Sequence, residues 1–346
     1  MSGIVGHSLY AVLGLKAAVK RRLPLARVAG QQFASYVAGA YLGSDIQTMP
    51  EAVCVDTGRD VGYGTVPIAK SPITGGEVRP FVLQTPLGEM RPKEVHDRFY
   101  GRAHLVFGWT VREKSLLVPW DHLPDYFAAV CEDVVALFGP GERSLAYVLG
   151  WIVHVVSDSM IKGVQPGVDL KLVDGRYTPR NRPVQDLVSF HEIGIREFHL
   201  NWPALFADLA ATPVEPVQLH YMRCTRAAGA LGGMFSDGWK PESEETLRIV
   251  LAENRRWVRH HAEEVLQSLQ LMDGECSAEM QDLSGLRYAE MIAAAEAAHF
   301  RHALWQIGEA IAEMFVATQQ RSKVLNGLAR DVGPGWEDIS HRWQMR

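Results

Sequence analysis

Apolar residues recur along this chain mostly at helical spacing and seldom alternate. Residues 7 to 23 carry Leu9, Val12, Leu13 and Val19, close on Pro24, and end in Lys20, Arg21 and Arg22, the charge favoured at a helix C-terminus. A second helix is expected over about 25 to 42, where Ala and Gly recur (RVAGQQFASYVAGAYLG) and permit close helix approach; it stops at Gly43, just before Ser44 and Asp45. Residues 46 to 98 break the pattern with repeated Gly and Pro among short β-prone pieces such as FVLQTP. They read as a long irregular insertion with one hairpin, and a loop of that length in a compact domain usually lies over a site. Helical periodicity resumes near 93 to 109 and is clear from about 122 to 138 and 141 to 162. After a Gly/Pro-punctuated connection it returns over 183 to 201, with Pro183 at the helix start. Beyond that, helices are expected at 203 to 211, 214 to 231, 241 to 271 and along an Ala-rich stretch from 277 to 325. The expected fold is mainly α. Residues 1–202 form a site-bearing helical part, and residues 203–346 a helical part that belongs to the same domain, covers the site or forms a homo-oligomer surface.

One helix breaks its own rule. SLAYVLGWIVHVVSDSM, residues 144 to 160, is apolar except that His154 and Asp158 stand one helical turn apart. Positions i and i+4 share a face about 5–6 Å apart at Cβ, so an imidazole and a carboxylate at this spacing can grip one cation. Burying both among Ile152, Val153, Val155 and Val156 is expensive unless they pair with each other or coordinate a metal. Other ligand types stand at element ends: His7 in the first helix, Asp45 after the second, His104 after the insertion, and His191 in the helix after the Arg-bearing connection. Imidazoles with carboxylates are the ligand set of zinc, or of iron or manganese. Such a metal brings the pKa of bound water toward neutrality, and a carboxylate can orient the resulting hydroxide.

Composition narrows the choices. With 47% hydrophobic and 22% charged residues the chain is ordinary for a globular protein, and its net charge of -5 argues against a nucleic-acid coat. Cysteines 54, 131, 224 and 276 are widely spaced, form no CxxC pair and read as reduced core residues. No signal-peptide pattern is visible at the N-terminus and no apolar run approaches a membrane span, so a cytoplasmic protein is expected. Phosphate-loop, dinucleotide and nucleophile-elbow motifs are absent from the sequence.

A His at the start of helix one, Asp45 following GAYLGS, a His before a further helix, and then A-x-x-L-G-x-x-x-H-x-x-x-D at 146 to 158: this order resembles the zinc-dependent phospholipase C and S1/P1 nuclease superfamily. The resemblance covers roughly residues 7 to 200. It implies a multi-helix phospholipase C-like domain that binds one or two zinc ions and hydrolyses a phosphoester with metal-bound hydroxide. Carried over, His154, Asp158, His104 and Asp45 hold metal, Asp45 also orients the attacking water, and His7 serves a further ion. The departures are specific. Where the family has another His shortly after the His-x-x-x-Asp, this chain has Lys162, Val164 and Gln165, and His191 is followed at i+4 by Ile195 rather than a carboxylate. Cations stand where ligands are missing: Lys162, Arg176, Arg180 and Arg182. Arginine clamps phosphate or carboxylate through paired hydrogen bonds, so Lys162, Arg180 and Arg182 are expected to hold a small anionic substrate. Two alternatives stay open: a metal site turned to elimination, oxidation or rearrangement, and a non-catalytic helical binding protein.

Other polar residues have plainer readings. His96-Asp97 matches the dipeptide of HD phosphohydrolases but reads as a polar helix start, and Asp121 or His122 as a cap. His260 and His261, in RRWVRHHAEE, read as a solvated charged face. Glu296, His299 and His302 satisfy the E-x-x-H spacing of carboxylate-bridged bundles once, where two copies are needed.

Overall fold

The computed structural model describes residues 3–42, 49–50, 52–58, 70, 75–95, 118–161, 163, 168, 172, 180–212 and 243–328. Most of these are helical. In chain order the helices are α1 Gly3–Lys20, α2 Leu25–Gln31, α3 Phe33–Leu42, α4 Pro92–Val95, α5 Leu123–Phe138, α6 Glu142–Ile161, α7 Asn181–Leu187, α8 Trp202–Ala211, α9 Glu244–Ser268, α10 Ala278–Ser284, α11 Tyr288–Ala297, α12 Phe300–Arg321 and α13 Lys323–Leu328. Two antiparallel pairs lie within the insertion: β1 Ala52–Cys54 with β2 Val78–Pro80, and the hairpin β3 Leu83–Thr85 with β4 Gly88–Met90.

Among the described residues the helices follow the sequence pattern with three local departures; the helix expected over 214 to 231, and that over 93 to 109 beyond Val95, lie outside them. The stretch expected as one helix over 25–42 divides at Gln32, whose backbone (φ -108°, ψ 40°) leaves the helical region two residues after the poor helix former Gly30. The segment after Pro183 becomes a π-helix, Val188–Glu197, continuous with α7. The long Ala-rich stretch breaks three times, the last at the extended Ser322 between α12 and α13. Gly285 takes a left-handed conformation at φ 72° and ends α10, and His299 does the same at φ 53° between α11 and α12. Side-chain caps mark several starts: Asn201 on α8, Ser243 on α9 and Ser277 on α10. His122 precedes α5 but makes no capping bond, and Trp120–His122 form a short 3-10 turn instead.

One buried core takes side chains from both sides of residue 202. Trp151, Ile152 and Val153 of α6 meet Leu9 and Leu13 of α1, Tyr36 and Val37 of α3, and Ile307, Ile311 and Phe315 of α12. Backbone proximity at small residues makes this possible. A Cβ on Gly14 of α1 would sit 2.5 Å from a methyl of Ile311, and one on Gly308 of α12 would sit 3.1 Å from Leu13. A second, smaller cluster packs Phe81, Leu83, Met90 and Val95 against Leu247, Val250, Leu251 and Trp257 on α9. α6 meets the length and hydropathy of a membrane span, with 94% of its apolar window buried inside the protein. A helix buried all round acquires the same composition as one in lipid, so hydropathy alone does not separate the two. Cys54, Cys131 and Cys276 are buried thiols in no disulfide, and the Cys54 thiol donates to Asp56; Cys224 lies outside the described residues.

Candidate metal centre

The crossing of α3 and α6 sets the geometry. A Cβ on Gly39 would strike the carbonyl of Tyr147, and one on Gly150 would strike the carbonyl of Tyr36 and approach Gly39 Cα to 2.9 Å. With both positions Gly, the two backbones touch. One turn beyond Gly150, His154 then reaches α3 directly, and its Nδ1 lies 2.9 Å from the Ala40 carbonyl. That carbonyl belongs to the last described turn of α3. A carbonyl only accepts, so Nδ1 carries the proton, and in the neutral ring Nε2 presents a lone pair. Ligating histidines are commonly oriented in this way by a backbone carbonyl.

Nε2 of His154 lies 3.7 Å from Asp158 Oδ2, and Nε2 of His7, arriving on α1, lies 3.7 Å from Asp158 Oδ1. The two imidazoles stack, with centroids 4.2 Å apart and planes 11° from parallel. All three side chains are buried, at 0%, 1% and 3% exposure for His7, His154 and Asp158. A separation of 3.7 Å is compatible with a shared ion. It exceeds the range of about 2.7–3.2 Å for a hydrogen bond. It approaches the edge of about 3.4 Å between ligands of a tetrahedral ion bonded at about 2.0–2.1 Å. One ligand atom from each residue lies within 4.8 Å of the others, so the group could hold a metal ion. A divalent cation there would meet the charge of the buried carboxylate directly. Ser157 and Ser159 donate instead to the carbonyls of His154 and Val155 in their own helix.

Aromatic rings enclose the triad. Tyr10 stands edge-on to His7 at 6.0 Å, and Tyr41 lies 6.4 Å from it. Beyond Tyr41, nearly parallel to it at 6.5 Å, is the ring of His261 on α9. His261 is 8% exposed, which corrects the reading of RRWVRHHAEE as wholly solvated. The signal that could have placed it is a heptad: Leu247, Asn254 and His261 recur every seven residues, beside Leu251, Val258 and Val265 on the same buried stripe. Burial, reinforced by the nearby charge of Arg182, lowers the His261 pKa to about 3, so the ring is neutral.

The remaining expected site residues fall elsewhere. The Arg182 guanidinium lies beside Gly3, 3.3 Å from where a Cβ there would be, one turn from His7, and its Nε is 3.6 Å from Asp186 Oδ2. Burial raises the Asp186 pKa to about 6 against the opposing charge of Arg182. Arg180 points to α10 and donates to the Ser284 carbonyl at 3.3 Å. His191 sits on the π-helix, its Nε2 2.6 Å from the Leu269 carbonyl, and is not part of the triad. Asp45, His104, Lys162 and Arg176, with His96 and Asp97, lie outside the described residues. His299 and His302 are exposed with Glu296 along a cleft of about 510 Å³ that Trp305 also lines. No family model matches this chain, and no curated protein and no solved structure does either.

Proposed function

We propose that the chain is a zinc-dependent hydrolase of a phosphoester or related small anionic substrate, similar in fold and site to the phospholipase C and S1/P1 nuclease superfamily. The buried His7, His154 and Asp158 group carries this reading. Two imidazoles and one carboxylate leave a four-coordinate zinc one open position, the arrangement of catalytic rather than structural sites. Zinc there would lower the pKa of a coordinated water and supply a hydroxide nucleophile at neutral pH. The chain's own residues do the positioning. Ala40 fixes the His154 tautomer through its carbonyl, and Tyr10 and Tyr41 wall the triad, where a lower dielectric strengthens every charge interaction. Arg182, next to the N-terminal turn of α1, is the cation to which this reading assigns the anion.

The same donor set supports a second reading. Two His and one carboxylate also form the facial triad of non-haem iron oxygenases, whose chemistry is oxidative. A single experiment separates the two. The purified protein is stripped, reloaded with zinc or with iron(II) under argon, and assayed for hydrolysis of bis(4-nitrophenyl) phosphate and for oxygen uptake. Zinc-dependent hydrolysis abolished by His154→Ala supports the hydrolase. Iron-dependent oxygen uptake without hydrolysis overturns it.

A further inference from the structure

The cleft of about 510 Å³ is lined by no residue of the triad, and its size falls within the range of about 300–1,000 Å³ usual for small-molecule sites. Two irregularities of the chain shape it. The π-helix contributes Val188, Glu192 and Ile193, which its wider turn brings to one side. The left-handed break at His299 turns the chain, so that Glu296 in the last turn of α11 and His302 in the first turn of α12 line the same space. Ile193, Ile292 and Trp305 give the cleft an apolar surface, and Phe198 stands edge-on to Trp305 with centroids 5.8 Å apart. Charge then decides what fits. Glu192 is matched by Arg196 at 2.7 Å and by the Tyr288 hydroxyl at 2.6 Å, and Arg301 by Glu197 at 3.4 Å. Glu296 pairs with no cation among the described residues, and its side chain is exposed, as are those of His299 and His302. The start of α12 brings about half an elementary charge of opposite sign, less than the full charge of Glu296. The surplus is negative.

We propose that this cleft is a second ligand site, which takes a primary amine with an apolar or aromatic body. An ammonium carries three donors and no acceptor; the Glu296 carboxylate accepts one of them, and a ring nitrogen of His299 or His302 accepts another. The body of the ligand lies against Ile193, Ile292 and Trp305, where the indole also attracts the cation. The site requires no metal and stands independently of the hydrolase reading.

The test titrates the chelator-treated full chain by ligand-observed NMR with three probes on one skeleton: 2-phenylethylamine, the uncharged 2-phenylethanol and the anionic 3-phenylpropionate. Wild type is expected to bind the amine about fivefold more tightly than the alcohol, and the acid most weakly. Glu296→Gln, a change at an exposed side chain, should bring the amine to within about twofold of the alcohol. Ile292→Ala should weaken amine and alcohol alike by about threefold and leave the preference between them. Trp305→Phe, which keeps an aromatic ring, should weaken the amine more than the alcohol. Equal affinities for amine and alcohol in wild type, a preference for the acid, or a Glu296→Gln protein that keeps the full preference overturns the proposal. So does amine binding that Ile292→Ala and Trp305→Phe both leave unchanged. With the metal removed throughout, none of these outcomes bears on the triad.

Discussion

Gly150→Ala adds one methyl group at the point where α6 touches α3, and its effect can be worked out in advance. Within an exposed helix the change would stabilise by about 0.8–1 kcal/mol. Here the new Cβ would strike the Tyr36 carbonyl and lie 2.7 Å from Ala40 N and 2.9 Å from Gly39 Cα. All three obstacles are backbone, so no rotamer change relieves them and the helices must part by about 1 Å to restore ordinary contact. Overpacking of this kind costs about 1–3 kcal/mol, and more when backbone must move. The same displacement stretches the 2.9 Å contact from His154 Nδ1 to the Ala40 carbonyl beyond hydrogen-bonding range. Losing a backbone partner of this kind lowers metal affinity about 10- to 100-fold. The expected result is a thermal midpoint lower by roughly 2–4 °C in the metal-free protein. Zinc affinity, measured by competition with a chromophoric chelator, should fall by at least tenfold. Gly327→Ala, in α13 with open space around it, is the control and should be neutral or slightly stabilising. A Gly150→Ala protein that matches wild type in both measurements would refute the argument that helix contact orients the histidine.

Two further outcomes follow from particular residues. His261 has a folded-state pKa of about 3 against an ordinary 6.5, so between those values the unfolded chain binds the extra proton and stability falls as pH is lowered through the window. Asp186, raised from 3.8 to about 6, has the opposite sign: the folded state holds the extra proton, and stability falls as pH rises through that window. Urea titrations of chelator-treated protein from pH 8 to pH 4 should therefore show His261→Gln gaining on wild type toward acid and Asp186→Asn losing ground; curves parallel to wild type would contradict both assignments. Gly194→Ala places a Cβ 2.5 Å from the Trp202 indole beneath the π-helix and should cost about 1–3 kcal/mol, seen as a lower urea midpoint; an unchanged midpoint would show that the indole moves freely there.

What the sequence made legible follows from its physics. α6 stood out because two polar residues one turn apart interrupt an apolar run, a pattern that demands partners; His7, which the resemblance assigned to a further ion, lies in the same group as that pair. The helices themselves were visible as stripes of buried positions. Their breaks were not: a positive φ at His299 is a tertiary decision, with no Gly or Pro to announce it. The π-helix was equally silent, because its extra residue per turn arises from packing, here with Gly194 against Trp202, rather than from propensity. His261 was obscured by its neighbours. Five charged residues and a second His in RRWVRHHAEE hid one seven-residue register that runs through the core. The orienting carbonyl of Ala40 belongs to no side chain, so no sequence motif encodes it; only the two glycines that permit the approach are visible.

The central claim is that His7, His154 and Asp158 together hold one metal ion. Elemental analysis of protein purified without chelator, beside His154→Ala and Asp158→Asn, tests it most directly, with X-ray absorption to identify the ligands. The account predicts at least one zinc per chain in wild type, a first shell containing imidazole nitrogen and carboxylate oxygen, and a metal content below one tenth of that in either variant. Wild-type protein without stoichiometric transition metal, or variants that retain it in full, would contradict the claim.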